Sequence, residues 1–309
     1  MLSSKTKGIL ALVTSAFGFA LMALCVRLCD DYGAPVSSFQ KSFFRNAVAL
    51  TIAAVVFVRN KVKVRGEGER RRLFFFRCNE QKRDLQCSPS PYAFTSLALL
   101  SARSIFGTVG IFANFYALGK ITIAEGQTLN KTAPFFTVIF AYLFLKERVT
   151  VRQLGALVLA FAGTVLITKP GFAGEAAFPL AMGLLGGLGA GAAYVCVRAL
   201  RTHGVDSALI ILFFSAFSCL ASVPFMLHGF DPMTPAQVAI LLGAGGGAAI
   251  GQFGVTLAYG YAAPRDIAVY DYTNILFTAA LGFAFFGQVP DVWSCLGFAA
   301  ILLAAFRLR

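Results

Sequence analysis

The sequence predicts an all-α integral membrane protein, with ten transmembrane helices arranged as two inverted five-helix repeats. Three observations carry that expectation: an apolar composition, apolar runs of membrane-spanning length, and internal self-similarity. Of 309 residues, 58% are hydrophobic and the mean hydropathy is +0.73, above the balance of an ordinary soluble domain. A helix needs about 20 apolar residues to cross about 30 Å of hydrocarbon. Such runs fall at about 8–28, 38–58, 97–119, 125–145, 151–168, 179–199, 207–227, 236–260, 266–287 and 291–307. Soluble core helices keep a polar face, and these runs mostly do not.

The chain also repeats itself. Advancing Ile9–Phe44 by 170 or 171 residues places Cys25-Val26-Arg27 on Cys196-Val197-Arg198, Gly18 on Gly189, Gly33 on Gly204 and Phe43-Phe44 on Phe213-Phe214. An advance of 141 places Gly110, Phe112, Ala117, Gly119, Thr132, Phe136, Thr137, Phe144 and Val151 on Gly251, Phe253, Ala258, Gly260, Thr273, Phe277, Thr278, Phe285 and Val292. The matches keep their order at a nearly constant shift, which duplication explains better than chance. Residues 1–172 form the first repeat and 173–309 the second. Each holds five spans, an odd number, so the second copy enters the membrane from the opposite side. Inverted repeats of this kind enclose a central site that opens to one face and then to the other.

Taken in order, the first span is too long for the apolar segment of a cleavable leader and is expected to remain as a helix. The second carries Arg45 about two turns in, where snorkelling to the headgroups and solute binding both stay open. The two shifts differ by 30 residues, so the first repeat holds an insertion at about 65–96. Its Arg70-Arg71-Arg72 and Cys78-Asn79-Glu80-Gln81-Lys82-Arg83 suit a solvated, partly disordered cytoplasmic loop, with Leu73–Phe76 at the bilayer surface. Gly119 and Gly260 are read as turn residues ending spans three and eight. In the fourth span Pro134 lies in mid-helix, where it removes a backbone hydrogen bond and leaves a carbonyl open near Asn130. Hinge and static bend are both open. Glu147, between Lys146 and Arg148, is expected to tie spans four and five. Spans six and eight carry Gly183, Gly187 and Gly191, and Gly243, Gly247 and Gly251, small-residue faces for close helix packing.

Net charge is +13. With both termini cytoplasmic, 21 of the 27 Lys and Arg, Arg103 among them, fall on the inner side, as the positive-inside rule requires. The charge therefore reports a multi-pass topology in the cytoplasmic membrane and contact with anionic lipid, not nucleic acid.

An ionisable residue inside the bilayer costs about 2.5–3.5 kcal/mol at the helix centre on insertion scales and is commonly functional. Span nine carries Asp266, Tyr270, Asp271, Tyr272 and Asn274; span four carries Glu125, Gln127, Asn130 and Lys131. Under the 141 shift Asn130 aligns with Asp271, and Lys131 with Tyr272. Equivalent positions approach across a pseudo-two-fold axis, so Lys131 and Asp271 are expected to meet. The pair either locks two helices, or binds the ionic ends of a zwitterion, or carries a coupling proton on Asp271. Asn114 and Tyr116 in span three, Tyr194 in span six and Gln252 and Tyr259 in span eight complete the candidate lining.

Several of these residues, taken together, resemble a known family. The ten-span inverted repeat, Arg45, Pro134 followed by Lys146-Glu147-Arg148-Val149-Thr150, and the counterpart Phe285-Phe286-Gly287-Gln288-Val289-Pro290 are similar to the EamA-type carriers of the drug/metabolite transporter superfamily. Gln288 stands where that family usually has an acid, and Ile275 where a second proline is common. The resemblance implies secondary transport of small organic solutes, often export of amino acids or related metabolites.

Other chemistry finds little material. With only His203 and His228 there is no metal-binding cluster or Ser/His arrangement, and no Gly-Lys-Ser/Thr phosphate loop. Seven scattered Cys give no disulfide or zinc framework. The expectation is a carrier without cofactor or metal whose partners are a small-molecule solute and membrane lipids, working as a monomer or homodimer. The alternative is a transport-inactive membrane scaffold or a lipid-handling protein, which would not require Lys131, Asn130, Asp271 and Asn274 at mid-bilayer depth.

Overall fold

The computed structural model describes residues 2–66, 72–73, 76–79, 86–89, 93–118, 120–121, 123–171 and 177–307. The first repeat consists of α1 (Ser4–Asp31), α2 (Ser38–Gly66), α3 (Ala93–Leu118), α4 (Ile123–Asn130), α5 (Ala133–Leu145) and α6 (Val151–Thr168). The second consists of α7 (Ala177–Thr202), α8 (Ser207–His228), α9 (Pro235–Tyr261), α10 (Pro264–Ile267), a 3-10 turn at Ala268–Tyr272, α11 (Thr273–Phe286) and α12 (Val292–Arg307). α4 with α5 makes one crossing, and α10 through α11 another. Among the described residues nine crossings are long and apolar enough for a membrane, and the shorter α12 supplies the tenth.

Between α2 and α3 the expected irregular loop carries three short strands: β1 (Arg72–Leu73), β2 (Phe76–Asn79) and β3 (Gln86–Pro89). They pair antiparallel in that order, with Leu73 opposite Phe76 and Cys78 opposite Cys87. A polar segment without a core still satisfies its backbone donors and acceptors, and a hairpin does so locally. The Leu73–Phe76 side chains, expected at the bilayer surface, lie outside the described residues, as does Gly119.

The duplication seen in sequence is repeated in the packing. α1 packs along α9, and α3 along α7. A methyl group on Gly18 would lie 2.7 Å from the Gly251 nitrogen, and one on Gly189 would lie 2.9 Å from Gly110 Cα. Gly18 aligns with Gly189 and Gly251 with Gly110, so the same glycine-on-glycine crossing occurs twice. α2 against α8 and α6 against α12 are pairs of counterparts: Asn46 Nδ2 donates to Ser218 Oγ at 3.0 Å, and Gly163 abuts the Gly297 carbonyl.

The two glycine stripes do different work. Gly247 and Gly251 meet α1 backbone and Phe19, while Gly243 has only Cys25 Sγ at 3.7 Å and needs no glycine. Gly183, Gly187 and Gly191 face Leu129, Thr132 and Phe136, so they seat the junction of α4 and α5 against α7. Gly260 lies inside α9 against the Arg201 guanidinium rather than in a turn.

Candidate functional site

Pro134 does not kink a continuous helix. It sits in the first turn of α5, where its missing N–H has no helical partner to lose, and the α-helical hydrogen-bond ladder is interrupted at Thr132, whose N–H turns to the Leu129 carbonyl at 3.1 Å. Thr132 Oγ1 donates back to the Leu129 carbonyl at 2.5 Å. The second repeat is interrupted at the equivalent place by the 3-10 turn, although Ile275 occupies the position of the proline. Side-chain bonds hold that break: Thr273 Oγ1 donates to the Tyr270 carbonyl at 2.7 Å, and Asn274 Nδ2 to the Ala16 carbonyl of α1 at 2.9 Å. Irregular backbone at membrane depth is tolerated only where protein surrounds it or it lines a cavity.

Between the two breaks lies the predicted pair. Lys131 Nζ is 3.4 Å from Asp271 Oδ2, and the side chains are 10% and 15% exposed. Tyr272 donates its hydroxyl to the Lys131 carbonyl at 2.9 Å, binding the two breaks to each other. Tyr259 and Tyr272 belong to one buried apolar cluster, with Tyr194 packed against it. The rings of Tyr194 and Tyr259 lie 5.6 Å apart.

The remaining candidates divide by location. Gln127 and Asn130 are half-buried on α4 beside the break. Gln252 is buried and accepts a hydrogen bond from Arg103 at 3.0 Å. Asn114 is half-buried against Gly186 with Oδ1 unpartnered. Tyr116 is 44% exposed with its ring 5.6 Å from Phe178, on the outside of the bundle. Tyr270 is buried, but its hydroxyl donates to the Ala305 carbonyl of α12 and so turns toward that helix. The side chain of Glu125 lies outside the described residues. Asp266 sits at the end near the termini and accepts from Gln153 Nε2 at 2.9 Å.

One arginine is placed where sequence reasoning did not put it, and for another the structure decides between two readings. Arg103, expected on the inner side, lies about three turns into α3, 2% exposed, with its guanidinium 3.8 Å from the centre of the Phe214 ring. Arg45 is 8% exposed inside the bundle rather than snorkelling. Both were legible as charges inside apolar runs. Counting Arg103 with the loop charges hid that signal.

Glu147 is not the tie between spans four and five. Its Oε1 accepts from Arg198 Nε at 3.1 Å while Arg198 Nη1 donates to the Tyr259 carbonyl at 3.0 Å, which fastens the end of α5 to α7 and α9. The counterparts of Arg198 and Glu147 are Arg27 and Gln288, at the opposite end of the bundle. There an amide replaces the acid, and the two residues line a small open cleft between α1 and α11. Thr278 in its wall is one turn from Asn274. The Arg198–Glu147 ion pair thus has no ionic counterpart between Arg27 and Gln288, where the Arg27 guanidinium instead lies 4.4 Å from the centre of the Phe286 ring.

The EamA-like transporter family matches residues 6–169, more than half of the chain. This chain belongs to that family. A pseudopaline exporter, CntI, of Pseudomonas aeruginosa is 26% identical over 304 residues, covering 97% of this chain and 95% of the relative. A riboflavin transporter of Rhizobium johnstonii is 29% identical over 206 residues, 66% of this chain and 67% of the relative. A solved crystal structure shares the fold, with a TM-score of 0.72 at 16% identity over 96% of each chain. The EamA-like protein is therefore a multi-pass membrane transporter and not an enzyme.

Proposed function

We propose that this EamA-like transporter is a secondary carrier that exports a small organic solute, an amino acid or a related compound, across the cytoplasmic membrane. The two repeats, residues 1–172 and 173–309, rock about the Lys131–Asp271 seam to expose it to one face and then the other. The observation that carries this reading is the meeting of two equivalent helix breaks at a desolvated ion pair. A scaffold has no need of such a pair, whose charges each cost several kcal/mol to bury. Both termini are cytoplasmic. Lys5, Lys7, Arg148, Arg152, Arg201, Arg265 and Arg307 gather at the terminal end, in keeping with the positive-inside rule. The likeness to a Pseudomonas aeruginosa exporter over almost the whole chain supports the outward direction.

The test is flux of a labelled amino-acid panel in proteoliposomes of the purified protein, with and without a pH gradient. Saturable flux that Asp271→Asn abolishes is expected. Flux through Asp271→Asn at the wild-type rate and pH dependence removes the pair from the mechanism. No flux of any solute in either direction removes the carrier reading.

A further inference from the structure

Beyond the Lys131–Asp271 pair, the bundle interior holds two cations that have no ion-pair partner among the described residues. Arg45 Nε is buried without a hydrogen-bond partner, and so is Arg103 Nε. Arg103 spends one N–H on Gln252 and lays its plane on Phe214; among the described residues Arg45 makes no ion pair or hydrogen bond. Among the described residues no carboxylate lies within 4.0 Å of either guanidinium.

The scaffold itself does not require them. Carried along the repeat, the counterpart of Arg45 is Ser215 and that of Arg103 is Ala244, small neutral residues at equivalent positions of the same fold. Buried charges are retained where they pair or bind, and a guanidinium matches the paired oxygens of a carboxylate or phosphate.

We infer that Arg45 and Arg103 receive acidic groups of the transported solute, so that the carrier's substrate is a net-negative organic acid. Asp271, held by a long contact to Lys131, is placed to accept an ammonium group of the same molecule. This deepens the carrier reading and rests on it, while the binding chemistry is separable from the flux.

The test uses the full chain in phosphatidylcholine nanodiscs, which hold no anionic lipid. Calorimetry compares L-glutamate with L-glutamine and O-phospho-L-serine with L-serine. At least one acid is expected to bind about tenfold or more tighter than its neutral counterpart, the equivalent of one charge-assisted contact. Arg103→Gln and Arg45→Gln should each erase that preference while leaving the weak binding of the neutral compound, and Arg103→Lys should retain part of it. The ligand-free Arg45→Gln protein should melt at or above the wild-type temperature, because a buried unpaired charge has gone. Equal binding of acid and amide overturns the inference, as does full competition by chloride. So does a variant that loses acid and neutral binding alike or melts early. Acids that bind by charge but are never moved in proteoliposomes uphold the inference and defeat the carrier reading. Neutral solutes moved without charge preference do the reverse.

Discussion

Replacing Asp271 by Asn is the most informative single change. At the observed 3.4 Å separation, an effective dielectric of about 20 gives an attraction of about 5 kcal/mol, and desolvation of both ions offsets much of it. Removing one partner leaves the Lys131 ammonium buried and unpaired, which costs about 3–5 kcal/mol in comparable settings. The Asn carbonyl can still accept from Lys131, so the lower end, about 3 kcal/mol, is expected. Thermal unfolding in one detergent, alongside flux in proteoliposomes, measures both consequences. The companion is Lys131→Met with Asp271→Leu, which removes both charges and should recover most of the lost stability while remaining inactive. Asp271→Asn melting with the wild type would refute the reasoning that the pair is desolvated. A double variant that still transports would place the solute elsewhere.

Other expectations follow from single contacts. Gly247→Leu should cost about 3 kcal/mol or more, because even a Cβ there lies 2.8 Å from the Met22 nitrogen and 2.9 Å from the Gly18 carbonyl. Gly246→Ala, with nothing within 4 Å, should be neutral or slightly stabilising, and folded yield by gel filtration separates the two. Gln288→Glu gives Arg27 the acid that its counterpart Arg198 already has in Glu147. It should close the α1–α11 cleft and slow flux several-fold, whereas Gln288→Ala should not; equal rates would show that the cleft is no gate. At the exposed α6–α12 loop contact, the Lys169 ammonium and then the Ser294 backbone N–H hold the Asp291 carboxyl at about 2. Its contribution is therefore complete above the ordinary carboxylate range near 4 and disappears as pH falls through about 2. Asp291→Asn should flatten the melting profile between those limits by a small amount, since the pair is nearly half exposed.

The parts of this protein that were readable in advance depend on one-dimensional properties. Ten apolar runs correspond to ten crossings because a backbone in hydrocarbon must bond to itself along each span. Lys131 and Asp271 were paired in advance because the 141 shift encodes the symmetry that brings them together. Where sequence reasoning failed, the answer depended on which helix faced which. Pro134 looked like a kink, yet the second repeat is interrupted at Ala268–Tyr272 with Ile275 in the position of the proline, so the proline alone does not make the break. Tyr116 and Tyr270 share the residue type of Tyr194 but point to Phe178 and to α12, a rotation that composition does not record. Tyr272, marked in sequence by its place beside Asp271 and its alignment with Lys131, and Tyr259, a candidate of span eight, gave no sign of their partners there, such as the Lys131 carbonyl that Tyr272 bonds.

By itself the sequence determined the spans, their duplication and inversion, and the ion pair at the seam, because hydropathy and a constant shift are properties of the chain's order. Only the tertiary structure decided that Arg45 and Arg103 turn inward. It alone placed Gly183, Gly187 and Gly191 against a broken helix, and joined Arg198 to Glu147 at one end where their counterparts Arg27 and Gln288 make no ion pair at the other. Those outcomes depend on helix rotation and crossing, which are fixed when backbones close to contact across glycine, a constraint between segments far apart in the chain.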